Sequence, residues 1–180
     1  HSRKLIETAC SLLEQYPFIR GHYLKNNTGY ELAQIAKVCF SSDFGAKYIV
    51  SICEHLAKLT TDYSISSIEY TDLFSSIARI KPFVFLDIFL ENKRNIENYM
   101  PHLVFRGSFD ERDLFIDQIA DDVLISWCEV DSEIRYPLLA SVTNLFAISR
   151  ETNKIGFNRT VPILFAKSSN LTIILQYLSN

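Results

Sequence analysis

The sequence contains few of the residues that make tight turns. Glycine and proline each occur only 5 times in 180 residues. A fold of many short strands needs such residues at each hairpin, so their scarcity favours helices. None of the glycines falls within a G-x-G-x-x-G or P-loop pattern, the usual backbone cradles for phosphate. We predict an all-α chain without a nucleotide-binding loop.

An excess of positive charge and a long apolar run are also missing. Lys and Arg number 18 against 21 Asp and Glu, a net charge of −3. Dedicated nucleic-acid binders usually carry a basic excess. The densest apolar run, Phe83–Leu90, contains Asp87 and is far too short to cross a bilayer. No signal-peptide pattern is visible, and we expect no contact with a membrane.

Cysteine occurs without metal-binding or disulfide spacing. Cys10, Cys39, Cys53 and Cys128 are widely separated, and no Cys-x-x-Cys occurs. Three of them stand beside apolar residues at helical spacing, as buried thiols do. We predict reduced thiols in the core and hence a reducing compartment, the cytoplasm.

Groups that could carry catalysis or hold a metal are scattered. The four histidines lie far apart, and Cys53-Glu54-His55 lacks the spacing of a zinc site. No G-x-S-x-G nucleophile motif is present. Asp121 and Asp122 fall on the polar face of a predicted helix, where solvated carboxylates are common. We predict that the chain is not an enzyme and has no catalytic residue, metal ligand or cofactor.

Hydrophobic residues recur at helical spacing through most of the chain. The most regular stripe runs from Ile116 to Trp127 and predicts one continuous helix, with a turn at Glu129–Ser132 after it. Pro137 predicts a kink or a late start near Tyr136 for the next helix, which we expect to continue to Phe146. We predict a loop over Arg150–Phe157 and a final helical hairpin after it.

Helix-breaking residues punctuate these helices. They are Pro17, Asp43, Pro82, Asp131 and Asn170. Their mean separation of about 38 residues matches two-helix solenoid repeats. A helical hairpin with apolar faces buries both only by stacking on others. We predict stacked antiparallel helical hairpins, either a HEAT-like right-handed α-solenoid or an irregular helical bundle.

We interpret residues 1–2 as a tag remnant and residues 3–180 as a single helical-repeat domain. Residues 92–112 are the least regular stretch and mark a half boundary inside that domain. Several of their apolar side chains need burial, so we do not interpret them as a flexible linker.

In pattern, the chain resembles HEAT/armadillo-like α-solenoids. The segment from Trp127 through Arg135-Tyr136-Pro137 to Ala140 is also similar to helical repeats of large multidomain bacterial proteins. Some of those proteins join an NTPase or effector domain to a helical sensor, antiphage defence proteins among them. The resemblance implies a non-catalytic interaction, scaffold or sensor module of a larger intracellular, bacterial protein. Its partner would be another protein or other domains of the parent chain, and we also expect self-association.

Three residues around the 129–132 turn are candidates for partner binding. Trp127 fits the apolar stripe, which favours a core position; its alternative role is an interface anchor, since Trp dominates binding hot spots. Arg135 and Tyr136, just past the turn, are the better candidates for exposed recognition.

The alternative function is nucleic-acid binding by a HEAT-like module. Its candidate residues are the basic side chains around Pro82, namely Arg79, Lys81, Lys93 and Arg94. Interleaved acidic residues and the lack of a basic excess make this the secondary hypothesis.

Overall fold

The part of the chain that the structure describes is almost entirely helical. The computed structural model describes residues 2–18, 28–61, 70–93, 115–143, 146–148, 155–157 and 161–165. Helices α1 to α8 span Ser2–Glu14, Thr28–Phe40, Ala46–Thr61, Thr71–Ile80, Pro82–Phe89, Asp121–Val130, Ser132–Ser141 and Val161–Phe165. Two 3-10 turns cover Glu91–Lys93 and Phe115–Gln118. The all-α prediction is confirmed.

One small β-hairpin accompanies the helices. Strands β1 (Phe146–Ile148) and β2 (Ile155–Phe157) pair antiparallel, with Phe146 opposite Phe157. Its position corrects two expectations, since α7 ends at Ser141 and does not reach Phe146, and β2 occupies the end of the predicted loop. The predicted half boundary begins in the first 3-10 turn and continues over residues 94–112, which lie outside the described residues.

The helices of the first half pack on their next-but-one neighbours. Helix α1 contacts both α2 and α3, α2 packs along α4, and α3 packs against α5. In the second half, α6 pairs with α7, and α7 contacts α8. Within the described ranges, no helix has both the length and the apolar character that a membrane crossing requires.

Aromatic side chains fill the centre of the core. Phe74, Phe85, Phe89 and Phe115 are fully buried. The Phe74 and Phe115 rings are stacked with centroids 5.7 Å apart, and the Phe85 and Phe89 centroids are 5.0 Å apart. These residues join α4 and α5 to the turn that precedes α6, so that turn belongs to the same core.

The connection between α2 and α3 depends on a glycine. A Cβ at Gly45 would overlap the carbonyl oxygen of Cys39, so a larger residue could not occupy this position without a backbone shift. The start of α3 therefore approaches the end of α2 at a distance that only glycine allows.

The predicted continuous helix from Ile116 to Trp127 is broken in two. The 3-10 turn ends at Gln118, Ala120 has an extended backbone (φ −65°, ψ 148°), and α6 begins at Asp121. Two aspartates in the first turn of α6 favour a start there, because carboxylates stabilise the positive end of a helix dipole.

Pro137 lies inside α7, which begins at Ser132. The expectation of a late start near Tyr136 is therefore wrong. Pro137 is itself buried, so packing around it offsets the backbone hydrogen bond that a proline removes.

Candidate functional site

Trp127 is a residue of α6, and its side chain lies in the core against α5. Its side chain is fully buried, and its indole Nε1–H donates a 2.7 Å hydrogen bond to Oδ1 of Asp87 on α5. This bond satisfies the indole's one polar group. The core position that the apolar stripe predicts is confirmed.

Arg135 connects Trp127 to two carboxylates. Its guanidinium carbon lies 4.6 Å from the centre of the Trp127 ring, and Nη1 donates a 2.9 Å hydrogen bond to the Trp127 carbonyl oxygen. Nη2 contacts Oε2 of Glu91 at 2.6 Å and Oδ1 of Asp87 at 3.3 Å. We refer to Asp87, Glu91, Trp127 and Arg135 as the Trp–Arg joint. It ties α6 and α7 to α5 and the turn after it.

The charged side chains of the Trp–Arg joint differ in how far they are exposed to solvent. The Arg135 side chain is 11% exposed, Glu91 21% and Asp87 40%. Among the described residues, Nε of Arg135 is buried without a hydrogen-bond partner. A guanidinium with this little solvent contact depends on its carboxylates for compensation.

Tyr136 is also an internal residue. Its side chain is buried, and its hydroxyl donates a 2.7 Å hydrogen bond to Oε1 of Glu129 on α6. Burial raises the pKa of Tyr136 above the ordinary range of a phenol, and this hydrogen bond is the second largest cause of that increase. The bond links α6 to α7 across the turn between them.

The expectation that Arg135 and Tyr136 are exposed is wrong. Both side chains turn inward, because the α6–α7 corner brings them against Trp127 and Glu129 rather than toward solvent. Partner binding at this corner stays a prediction, and neither side chain is placed to meet a partner directly.

The basic residues of the alternative function are only partly described. Arg79 is exposed near the end of α4, and Lys81 is half-buried at the junction of α4 and α5. The side chain of Lys93 and the whole of Arg94 lie outside the described residues. Nucleic-acid binding through this group stays a prediction.

The described residues contain no group of three or more His, Cys, Asp and Glu side chains that could hold a metal ion. All four cysteines are free and buried, which confirms the prediction of core thiols. Burial, with Cys39 nearby, raises the pKa of the Cys10 thiol to about 12. Burial also raises the pKa of Cys39 and Cys53. A raised thiol pKa disfavours the thiolate, the reactive form of cysteine.

These thiols predict a loss of stability at alkaline pH. In the unfolded chain the thiols ionise near the ordinary cysteine pKa of 9.0, whereas the folded Cys10 keeps its proton until pH approaches about 12. The folded state therefore binds more protons above pH 9, and its free energy of unfolding falls as pH rises through that window. Thermal melts between about pH 7 and pH 10.5 should show this decline, and it should be shallower for Cys10→Ala. Parallel pH profiles for the two proteins would contradict it.

An apolar groove lies between α1 and α2, away from the Trp–Arg joint. Its volume is about 260 Å³, and Glu31 is the only charged side chain among the described residues that line it. The lining residues are Ala9, Leu12, Leu13, Tyr16, Glu31, Leu32 and Ile35. We refer to this set as the α1–α2 groove.

Aliphatic side chains remain exposed in and beside the groove. Leu12 is 65% exposed and Ile35 41%. Leu5 stands two helical turns before Leu12 and is 71% exposed, and Val38 stands one turn after Ile35 and is 65% exposed. Residues three, four or seven apart share a helix face. Exposed aliphatic side chains therefore recur on both helices beyond the groove.

This surface could not be identified from the spacing of one stripe, although the wide distribution of apolar residues on α1 indicates it. Leu5, Ala9, Leu12 and Leu13 recur at the spacing of one helical stripe, yet α1 buries Cys10 and Leu13 and leaves Leu5 and Leu12 exposed. Apolar residues on α1 cover more than one face, and its contacts with α2 and α3 leave Leu5 and Leu12 uncovered.

These two places, the buried joint and the open groove, are the candidate sites of the described chain. No protein-family model matches this chain, and no curated protein or solved structure is significantly similar to it.

Proposed function

We propose that the chain is a non-catalytic protein-interaction module, a scaffold or sensor part of a larger intracellular bacterial protein. The observation that carries this proposal is the α1–α2 groove with its exposed aliphatic flanks. Single exposed apolar residues are ordinary on a protein surface, whereas a contiguous apolar patch marks a binding surface. Here Leu12 and Ile35 are exposed at one apolar cavity, and two more exposed aliphatic side chains, Leu5 and Val38, lie on the same two helices.

The helix arrangement supports an interaction role of the solenoid kind. Contacts of α1 with α3, α2 with α4 and α3 with α5 follow the order in which stacked hairpins pack. Such stacks bind partners along surfaces built from successive helices. Under this proposal, α1 and α2 form the first hairpin and carry the docking surface.

Selection of displayed peptides tests the proposal. A library of random amphipathic helices of about 18 residues, selected on the chain, should yield binders that depend on the groove. Leu12→Ser and Val38→Ser should each weaken them about 10-fold, the loss expected when a partly buried aliphatic contact worth about 1.4 kcal/mol disappears.

Val130→Ser is the matched control. Val130 on α6 is 67% exposed and Val38 is 65% exposed, so the two substitutions remove the same group from equally open positions. Binding should be unchanged in Val130→Ser. Binders that lose affinity equally in Val38→Ser and Val130→Ser, or in neither, would contradict a groove-centred interaction.

A further inference from the structure

We propose that the occupant of the α1–α2 groove is an amphipathic helix of a partner protein that places a basic side chain against Glu31. This inference rests on the proposed function and names the partner's chemistry. It follows from the direction of the two helices, the charge in the groove and the polar border of α1.

The groove has the form that receives a helix. The first turns of α1 meet the end of α2, because Sγ of Cys39 lies 4.0 Å from the carbonyl oxygen of Ile6. The end of α1 meets the start of α2, because Leu13 and Tyr16 line the same cavity as Leu32. Two antiparallel helices about 20 Å long, each of 13 residues, leave a trough that a third helix can fill.

The charge in the groove specifies the occupant. Glu31 is exposed and lies in the first turn of α2, and the other described residues that line the groove are uncharged. A helix laid into the groove covers this carboxylate and removes water from it. Covering an anion without a counter-charge is costly, so binding favours a partner that brings a Lys or Arg to this position.

The border of the groove is polar on one side. A neighbouring surface of α1 is lined by Lys4, Glu7, Thr8, Ser11 and Leu12. Glu7 is held there by Lys47 at 3.1 Å and by Arg3 at 3.4 Å. Leu12 separates this polar surface from the apolar groove, an arrangement of apolar centre and polar rim typical of protein interfaces.

The same charge argues against a second copy of the chain as the occupant. In a two-fold pairing of identical surfaces, each groove must supply the counter-charge for the other. None of the described residues that line the groove is basic. The described lining residues of one copy would therefore offer no counter-charge to Glu31 of the other, whereas a basic partner helix brings one.

A pair of designed peptides tests the inference. Both are helices of about 18 residues with leucines at i, i+3, i+7 and i+11, and they differ in one flanking residue, Lys in one and Glu in the other. Fluorescence anisotropy at low salt should show the Lys peptide binding about 10-fold more tightly, with the difference shrinking as salt is added.

Variants of the chain assign that difference to Glu31. Glu31→Gln should remove the preference between the peptides, and Glu31→Lys should reverse it. Leu12→Ser should weaken both peptides, and Val130→Ser neither. Thermal melts establish that each variant is folded.

Each other outcome overturns a defined part of the proposal. Equal affinity for the two peptides, lost in Leu12→Ser, would overturn the basic partner and leave the interaction module in place. Binding that is insensitive to Leu12→Ser would overturn the proposed function itself. A dimer in sedimentation analysis that Leu12→Ser converts to monomer, while Val130→Ser does not, would assign the groove to a second copy.

Discussion

Trp127→Ala is expected to lower the free energy of unfolding by about 3–5 kcal/mol, the range for truncating a buried tryptophan. The side chain is fully buried, holds Asp87 through its indole nitrogen and lies beneath the Arg135 guanidinium. Its removal leaves a large cavity, and it also removes the hydrogen bond that the indole donates to Asp87. In a domain of this size the melting temperature should fall by about 6–20 °C.

Two further variants separate the contributions of Trp127. Trp127→Phe keeps an aromatic ring but loses the bond to Asp87, and it should cost clearly less than Trp127→Ala. Val130→Ala, at an exposed position of the same helix, should stay within about 0.5 kcal/mol of the wild type. A melting temperature for Trp127→Ala within about 2 °C of the wild type would show that Trp127 is not a core residue.

Arg135→Ala is the second substitution with a large expected effect. It leaves Glu91 and Asp87 without the cation that lies 2.6 Å and 3.3 Å from them. Breaking a buried ion pair costs about 3–5 kcal/mol. Because the Asp87 side chain is 40% exposed, water compensates part of this loss, and we expect about 2–3 kcal/mol.

The geometry of the joint also predicts which substitutions fail to restore it. Arg135→Lys should recover only part of the loss, because one ammonium cannot contact two carboxylates and the Trp127 carbonyl while stacking on the indole. Denaturant melts of Arg135→Met, Glu91→Gln and the double variant form a thermodynamic cycle. The double variant should be more stable than the sum of the single effects predicts, by about 1 kcal/mol or more. Strict additivity would contradict a direct pair between Arg135 and Glu91.

The sequence predicts the class of this fold better than its contacts. Periodic apolar positions predict helices because a helix must bury one face, and the burial of Trp127 follows from its place in such a stripe. The same stripe hides the break at Ala120. Ile116 and Ile119 before the break, and Leu124 and Trp127 after it, are all buried, so periodicity continues where the helix does not.

The orientation of Arg135 and the existence of the groove could not be predicted in this way. Arg135 turns inward because Asp87 and Glu91, more than 40 residues earlier in the chain, lie opposite it. No local pattern encodes that pairing. The groove depends on which face of α1 packs against α2. Apolar residues on several faces of α1 are compatible with more than one packing arrangement. A polar residue next to a turn is usually solvated, and here tertiary packing overrides that tendency.

The most direct test of the account locates a bound helix on the chain. Backbone amide NMR spectra recorded with the Lys peptide should shift signals of Ser2–Glu14 and Thr28–Phe40 around the α1–α2 groove. Signals of Asp121–Ser141, which contains Trp127, Arg135 and Tyr136, should stay in place. Shifts confined to Asp121–Ser141, with α1 and α2 unchanged, would contradict the account and return recognition to the Trp–Arg joint.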